Sequence, residues 1–493
     1  MPQTTAHPNV TESRPLGTLE NFFKWLADQG RPLNRGHWTI HLILDLAIPQ
    51  SIADPALHLR SAWQALRIAH PHLGAVVTHS TETNQESPPG RLVLGGLDLD
   101  EWAKTTFTVC DQECSMDQLL SGLGPQDTAT CYWVPSSSQL LLRSDHWRVD
   151  GSGMVMLGHE LLAALTMVLE HGPKPALDQY LSLAPPQDRL LAPSLESIVQ
   201  FSSRRHAIRE REHDPAVSKA ADTLIADFLQ GQPSIGLPAL PHSEAAIPDR
   251  TGFAIGRLDM QTTAQVLTAC KTNGYTVTSA VHAAIIRVTA TFPQHPLCKS
   301  YAAFTPFDLR PTISAASSSD VALPVCGLYL LGPPVRIDDV TTKDFAGIAN
   351  HLCDTYRRDP AHFWSTKDGQ GEDATISLLD LEEALTSRVS AIVQAPVPEG
   401  WPPAQTPDLS SLGVIDSRIQ PEYGSHATSK LQVKNFWIGT EMLGRNIQFH
   451  VWTWNGQLTL SACFNQSYYE RQFVDGVVDQ VLKELREGCR IEQ

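Results

Sequence analysis

The sequence predicts an α/β protein, or α+β with antiparallel hairpins, built as two domains. Three observations carry this. At 493 residues the chain is longer than one hydrophobic core usually supports. Strand-like and helix-like patterns follow one another in mixed order, with hairpin signals instead of a run of βαβ units. After a Pro- and Gly-rich stretch near the middle, a similar pattern starts again. No short-period repeat is visible, which argues against a solenoid.

In chain order, residues 1–16 are polar and Pro-containing and read as a loose tail. TLENFFKWLADQ (18–29) predicts a short helix capped by Thr18, with aromatics on one face. HWTIHLILDLAI (37–48) is strand-like. DPALHLRSAWQALRIAHPHL (54–73) predicts an amphipathic helix with Asp54 as N-cap and Pro55 at the first helical position. Leu57, Trp63, Leu66 and Ile68 are assigned to its core face. GRLVLGGL (90–97) gives a short strand and a turn, and TCYWVPSSSQLLLR (130–143) a hairpin turning at Pro135 to Ser138. SDHWRVDGSG is a polar break. A helix then runs from about Met154 to Glu170, with Met154, Leu157, Leu161, Leu165 and Val168 at helical spacing.

Residues 186–250 read as a connection. They hold a charged helical stretch (RRHAIREREHD), a second helix near 216–230 and the run GQPSIGLPALPHSEAAIPDR. Beyond it, FAIGRLDM (253–260) is strand-like, 261–272 and 276–291 predict two helices, and 299–309 predicts a strand ending in FDLRP. Residues 395–409 form a Pro-rich loop. NIQFHVWTW and QLTLSACFN flank Asn455-Gly456, the strongest short-range hairpin signal in the chain. A last helix covers about 469–486. The expected division is a flexible tail over 1–17, an N-terminal domain over 18–200, a linker over 201–250 and a C-terminal domain over 251–493.

Hydrophobic residues make up 42% and charged residues 18% of the chain, a globular composition. A formal charge of −16 repels phosphate backbones and makes nucleic acid a poor partner, although a small anionic cofactor could use a local basic patch. No run reads as long and apolar enough to span a bilayer, and the N-terminus lacks the apolar core of a signal peptide. The expectation is a cytoplasmic protein with no membrane partner. Of nine cysteines only Cys110 and Cys114 lie close, as CxxxC, which argues against a zinc site or a disulfide framework. The sequence holds no P-loop, no GxGxxG after a strand and no metal-ligand cluster.

The sharpest chemical signal is His146-Trp147-Arg148-Val149-Asp150-Gly151, where a buried strand ends and a helix begins. A rigid scaffold with an open loop suits a catalytic group. An imidazole can take a proton at neutral pH, and a hydroxyl is a weak nucleophile until its proton is removed. Asp150 could fix the ring or the loop through an ion pair. With 19 histidines, roughly 0.07 chance matches to HxxxDG are expected. The competing reading of His146 is a turn histidine. His41 to Asp45 also reads HxxxD, but Leu46 follows and the run is strand-like, so this pair reads as structural.

HWRVDG resembles the HxxxDG motif of the CoA-dependent acyltransferase superfamily, which includes plant-type BAHD enzymes, condensation domains of peptide synthetases and fungal O-acetyltransferases. The opening strand and the DPALHLRSAWQALRIAHPHLGAVV helix are similar to the start of these domains. GYTVTSAVHAAI, FDLRP, SSLGVID, NFWIG and the Asn-Gly hairpin follow in the family's order, so the resemblance spans about residues 20–487. Its flavour is fungal and resembles the trichothecene 15-O-acetyltransferase type.

The resemblance implies two pseudo-symmetric domains, each like chloramphenicol acetyltransferase, with a tunnel between them. It implies His146 as general base, and Asp150 turned away to pair with Arg310 of FDLRP. It implies that Gly151 allows the close turn into the helix. The implied reaction moves an acyl group, in the first instance acetyl, from acyl-CoA to a hydroxyl of a small secondary metabolite such as a terpenoid or polyketide. Acyl-CoA would be a co-substrate with no tightly bound cofactor, and the protein a monomer. Two departures narrow the choice. Condensation domains usually carry two adjacent histidines, and here Asp145 precedes His146. Plant-type members carry D-F-G-W-G, and here Asn435-Phe436-Trp437-Ile438-Gly439 stands instead. A carrier-bound donor, a CoA-independent condensation or cyclisation, and a non-catalytic binding role remain as alternatives.

Other candidates read as structural. His282 lies on a mostly apolar helix and reads as a satisfied core histidine. Leu94-Gly95-Gly96-Leu97-Asp98 lacks the serine of a carrier-attachment loop, and REREHD reads as a solvated face. Trp437, Trp452 and Trp454 could line an acceptor pocket or pack in a core.

Overall fold

A computed structural model describes residues 10–78, 90–96, 98–185, 190–201, 214–241, 243, 245–316, 323–367, 373–425 and 430–491. The charged stretch at 204–214 and its REREHD run lie, except for Asp214, outside the described residues, as do the first nine residues of the expected tail and Leu97. The chain divides into two compact units. The first comprises Met1–Leu195, Leu323–Leu328 and Asp416–Ile438; the second comprises Glu196–Ala322, Tyr329–Ile415 and Gly439–Gln493. The two contiguous domains expected from sequence are therefore corrected in one respect: two segments from the second half of the chain belong to the first unit.

The first unit is built on a six-stranded mixed sheet in the order Glu422–Tyr423, Leu431–Thr440, Thr39–Ala47, Gln139–Asp145, Thr130–Val134, Phe107–Val109. Its central hairpin is the one expected. Thr130–Val134 pairs antiparallel with Gln139–Asp145, and Ser138 closes the turn with φ 52°. Gln139–Asp145 pairs on its other side, antiparallel, with Thr39–Ala47. Leu42 and Leu44 opposite Leu142 and Leu140 are buried, which explains the continuous apolar runs in both strands. Part of the expected tail is ordered: Val10–Pro15 is a strand, paired antiparallel with Arg91–Gly95.

Two long helices complete this unit. Pro55–Ala69 starts as expected, with Asp54 accepting a hydrogen bond from the Leu57 N–H. Trp63, Leu66 and Ile68 are buried, but Leu57 is 49% exposed, because its side chain lies in the first turn outside the buried face. Gly151–His171, here called the motif helix, begins three residues earlier than its apolar spacing suggested, since Asp150 caps it. Contrary to expectation, its 21 residues, with a mean hydropathy of 1.5, make it long and apolar enough by composition to cross a membrane. Leu157, Leu161, Leu162, Leu165 and Val168 are buried inside the unit. A Cβ on Gly158 would stand 2.4 Å from a Leu42 methyl, so this glycine permits the close approach of helix to strand.

The second unit has a four-stranded sheet in the order Asp408–Val414, Gln448–Trp454, Gln457–Asn465, Thr251–Arg257. The Asn-Gly hairpin forms as expected, with Asn455 at φ 48° and Gly456 at φ 72°, the mirror-image turn this pair favours. Val277–Thr291, capped by Thr276, lies in a core shared with Phe345–Tyr356 and Arg471–Gly488. Each unit is thus a mixed sheet covered by helices, the class the sequence predicts.

Candidate active site

The strand Gln139–Asp145 carries the chain to His146 at its end. The main chain there is held on two sides. The His146 N–H donates to the Trp38 carbonyl at 2.9 Å, and the Arg148 N–H to the Asp145 carbonyl at 3.1 Å. Beyond the turn, Val149 bridges in parallel to Gly327. The Gly327 N–H donates to the Arg148 carbonyl at 2.8 Å, and the Asp150 N–H to the Gly327 carbonyl at 3.3 Å. Asp150 then caps the motif helix, its Oδ1 accepting the Gly153 N–H at 2.7 Å. An extended φ of −87° and ψ of 176° suit that role.

The His146 side chain is buried, at 8% exposure. Its ring stacks on Phe23, with centroids 4.4 Å apart and planes 15° from parallel. The Trp38 ring meets it edge-on at 5.9 Å and 70°. Phe23 and Trp38 touch each other edge-on at 5.9 Å. Phe23 comes from the helix Thr18–Asp28, where Gly17, not Thr18, is the N-cap and the Glu20 carboxylate accepts the Gly17 N–H at 2.8 Å. Among the described residues the His146 Nδ1 has no hydrogen-bond partner. Burial pushes the imidazole down to about 4, opposed by the field of Asp150 and by its own main-chain carbonyl. The ring is therefore neutral at pH 7 and holds a free lone pair.

The remaining motif residues build the frame. Asp145, where condensation domains carry a first histidine, accepts the Thr39 hydroxyl at 3.0 Å and the Trp147 indole N–H at 3.3 Å. Arg148 is fully buried, its guanidinium 4.2 Å from the centre of the Trp147 ring, and it donates to the Ala75 and Asp127 carbonyls at 2.8 and 2.7 Å. Gly151 is the first residue of the motif helix. Arg310 lies in the second unit, at the start of the helix Arg310–Ala316. There its guanidinium is 3.4 Å from the Asp308 carboxylate and 5.0 Å from the centre of the Tyr329 ring.

So the structure gathers His146, Asp150 and Gly151 at one strand-to-helix junction. The sequence reading missed Phe23 and Trp38 as neighbours of His146. TLENFFKW announced an aromatic helix face, but nothing local connects it to a motif more than a hundred residues away. The decoy His41 is fully buried on its strand, and Arg143 Nε donates to its Nε2 at 3.1 Å. His282 is a satisfied core residue: its Nδ1 meets the Tyr356 hydroxyl at 2.9 Å and its Nε2 the Tyr301 hydroxyl at 2.7 Å. Trp437, Trp452 and Trp454 are buried. The cysteines are free, and no group of three or more candidate metal ligands occurs among the described residues.

Among solved structures, the chain matches the TRI3 trichothecene 15-O-acetyltransferase from Fusarium sporotrichioides with a TM-score of 0.73, over 97% of this chain and 95% of that one, at 14% identity. It also matches the first condensation domain of the calcium-dependent antibiotic synthetase, with a TM-score of 0.63 over 98% and 97% of the two chains, at 12% identity. The chain thus shares the fold of these acyltransferase and condensation-domain structures. Its sequence relatives are fungal. It is 28% identical to the loline biosynthesis cluster 1 transcription factor lolU1 of Epichloe uncinata, over 98% of this chain and 96% of that protein. It is 26% identical to the acetyltransferase pigO of Monascus ruber, over 95% and 94%. No family model matches the chain.

Proposed function

We propose that this protein is an acyltransferase of fungal secondary metabolism, with acyl-CoA, in the first instance acetyl-CoA, as donor and a hydroxylated terpenoid or polyketide as acceptor. The observation that carries the reading is a neutral, buried imidazole with an uncommitted lone pair, at the end of a rigid strand. His146 takes the hydroxyl proton as the acceptor oxygen attacks the thioester carbonyl carbon. The tetrahedral oxyanion collapses, the carbon–sulfur bond breaks, and the imidazolium returns its proton to the departing thiolate. A base with a depressed pKa is weak in the first step, although its imidazolium is a strong acid in the last, so stabilising the imidazolium speeds proton removal from the acceptor. The full-length relative named as an acetyltransferase supports the same chemistry.

Within this reading the protein works as a cytoplasmic monomer. A carrier-bound donor is the alternative, on a fold shared with a condensation domain. The name of lolU1 raises a DNA-binding reading, which the formal charge of −16 opposes. One set of assays separates the three. The protein is incubated with acetyl-CoA and a panel of hydroxylated acceptors, with a carrier-loaded acetyl donor, and with duplex DNA at low salt. An acetyl mass gain with free acetyl-CoA supports the proposal. Gain only from the carrier replaces the donor, and DNA retention without any gain overturns the proposal.

A further inference from the structure

We propose that Phe23 and Trp38 are positioning residues for His146, forming an aromatic clamp that fixes the imidazole plane and stabilises the imidazolium. The inference rests on His146 acting as base.

A catalytic histidine is usually oriented by a hydrogen bond that its second ring N–H donates, often to a carboxylate or carbonyl. Here Nδ1 has no such partner on another described residue, only the weak pull of its own main-chain carbonyl, so the ring needs another constraint. Phe23 covers one face at 4.4 Å and nearly parallel, and Trp38 closes on it edge-on. The two clamp residues also brace each other, with planes 82° apart. Trp38 holds φ 52°, a left-handed conformation that is unfavourable for a bulky residue. That same backbone turn presents the Trp38 carbonyl to the His146 N–H at 2.9 Å. One residue thus fixes the backbone of His146 through its carbonyl and the ring through its indole. When the imidazole takes the acceptor's proton, its charge develops against the face of Phe23, where the ring quadrupole attracts a cation. Asp150 adds a field of the same sense. A carboxylate is the common device for both tasks, and here rings do the work of orientation.

The test compares wild type, Phe23→Leu and Phe23→Tyr. Leucine keeps the site dry and removes the aromatic face; tyrosine keeps the face. The readouts are kcat, KM and the titration midpoint of the His146 ring nitrogens by NMR. In Phe23→Leu, kcat falls about tenfold while KM stays within about twofold, and the His146 midpoint moves lower. Phe23→Tyr restores both. Unchanged kcat and midpoint in a folded Phe23→Leu overturn the proposal. Should that variant not fold, Trp38→Leu is measured in the same way, and the same null result overturns the clamp. The ring titration is read without turnover. It therefore stands apart from the acyltransferase proposal, whose own failure would be full activity in His146→Ala.

Discussion

His146 and His282 are both buried histidines, at 8% and 1% exposure, and they belong to different units. Burial lowers both, His146 to about 4 and His282 to about 3, so both rings are neutral at pH 7. They differ in what their nitrogens meet. His282 is held at both nitrogens by the hydroxyls of Tyr356 and Tyr301, and the Tyr301 O–H donates to the Pro407 carbonyl at 2.9 Å. His146 has rings at its face and edge and no partner at Nδ1 among the described residues. Burial and a neutral ring thus serve opposite ends in the two places. A ring with both nitrogens engaged is part of the core, whereas a ring held only by packing keeps a lone pair for chemistry.

The largest effect expected from this contrast is on stability. His282→Ala opens a cavity and takes a hydrogen-bond partner from each of two tyrosine hydroxyls, costing roughly 3–5 kcal/mol. His146→Ala removes a side chain that makes no hydrogen bond through Nδ1, and costs less. Urea denaturation of the two variants checks this, and equal losses would erase the distinction. Next comes pH. Each ring binds its proton more weakly in the folded than in the unfolded state. The unfolded chain therefore takes up protons first as pH falls through about 6.5. Stability is full above that value and declines toward pH 4 and below, by on the order of 4 kcal/mol for His282 alone. Thermal midpoints across pH 7 to 4 should show the decline, and it should flatten in a His282→Gln variant; a slope unchanged by that substitution would contradict the assignment.

A smaller effect separates the two roles of Asp150. Asp150→Ala removes the cap of the motif helix, at a cost of about 1–2 kcal/mol. Asp150→Asn keeps the cap within a few tenths of a kcal/mol but removes the charge that favours the imidazolium. Circular dichroism melts should therefore separate the alanine from the asparagine variant, while activity falls in both. Smallest is Gly456→Ala, which forces a side chain into φ 72° at the hairpin turn and should cost about 1 kcal/mol.

Much of this was legible in the sequence because the signals are local. Asp54-Pro55 marks a helix start, Asn455-Gly456 a hairpin, and HWRVDG a strand-to-helix junction, each through chemistry within a few residues. The cap on Asp150 was readable in principle, since aspartate before a glycine-rich helix start is a common N-cap; the polar run SDHWRVDGSG masked it. What the sequence hid is assembled over distance. Val10–Pro15 is a strand only because Arg91–Gly95 lies beside it. Leu323–Leu328 and Asp416–Ile438 join the first unit although their positions in the chain place them in the second. The motif helix passes for a membrane span by composition because its apolar residues fill a core. Phe23 and Trp38 have no motif of their own, and only the folded chain brings them to His146.

The central claim is that His146 is the base for acyl transfer. The most direct test is acetyl transfer from acetyl-CoA by wild type and by His146→Ala, followed by mass spectrometry at matched concentrations of folded protein. The account predicts transfer by wild type and a loss of ~10²–10⁴-fold in the variant, with its melting temperature little changed. Transfer by His146→Ala at the wild-type rate would contradict it.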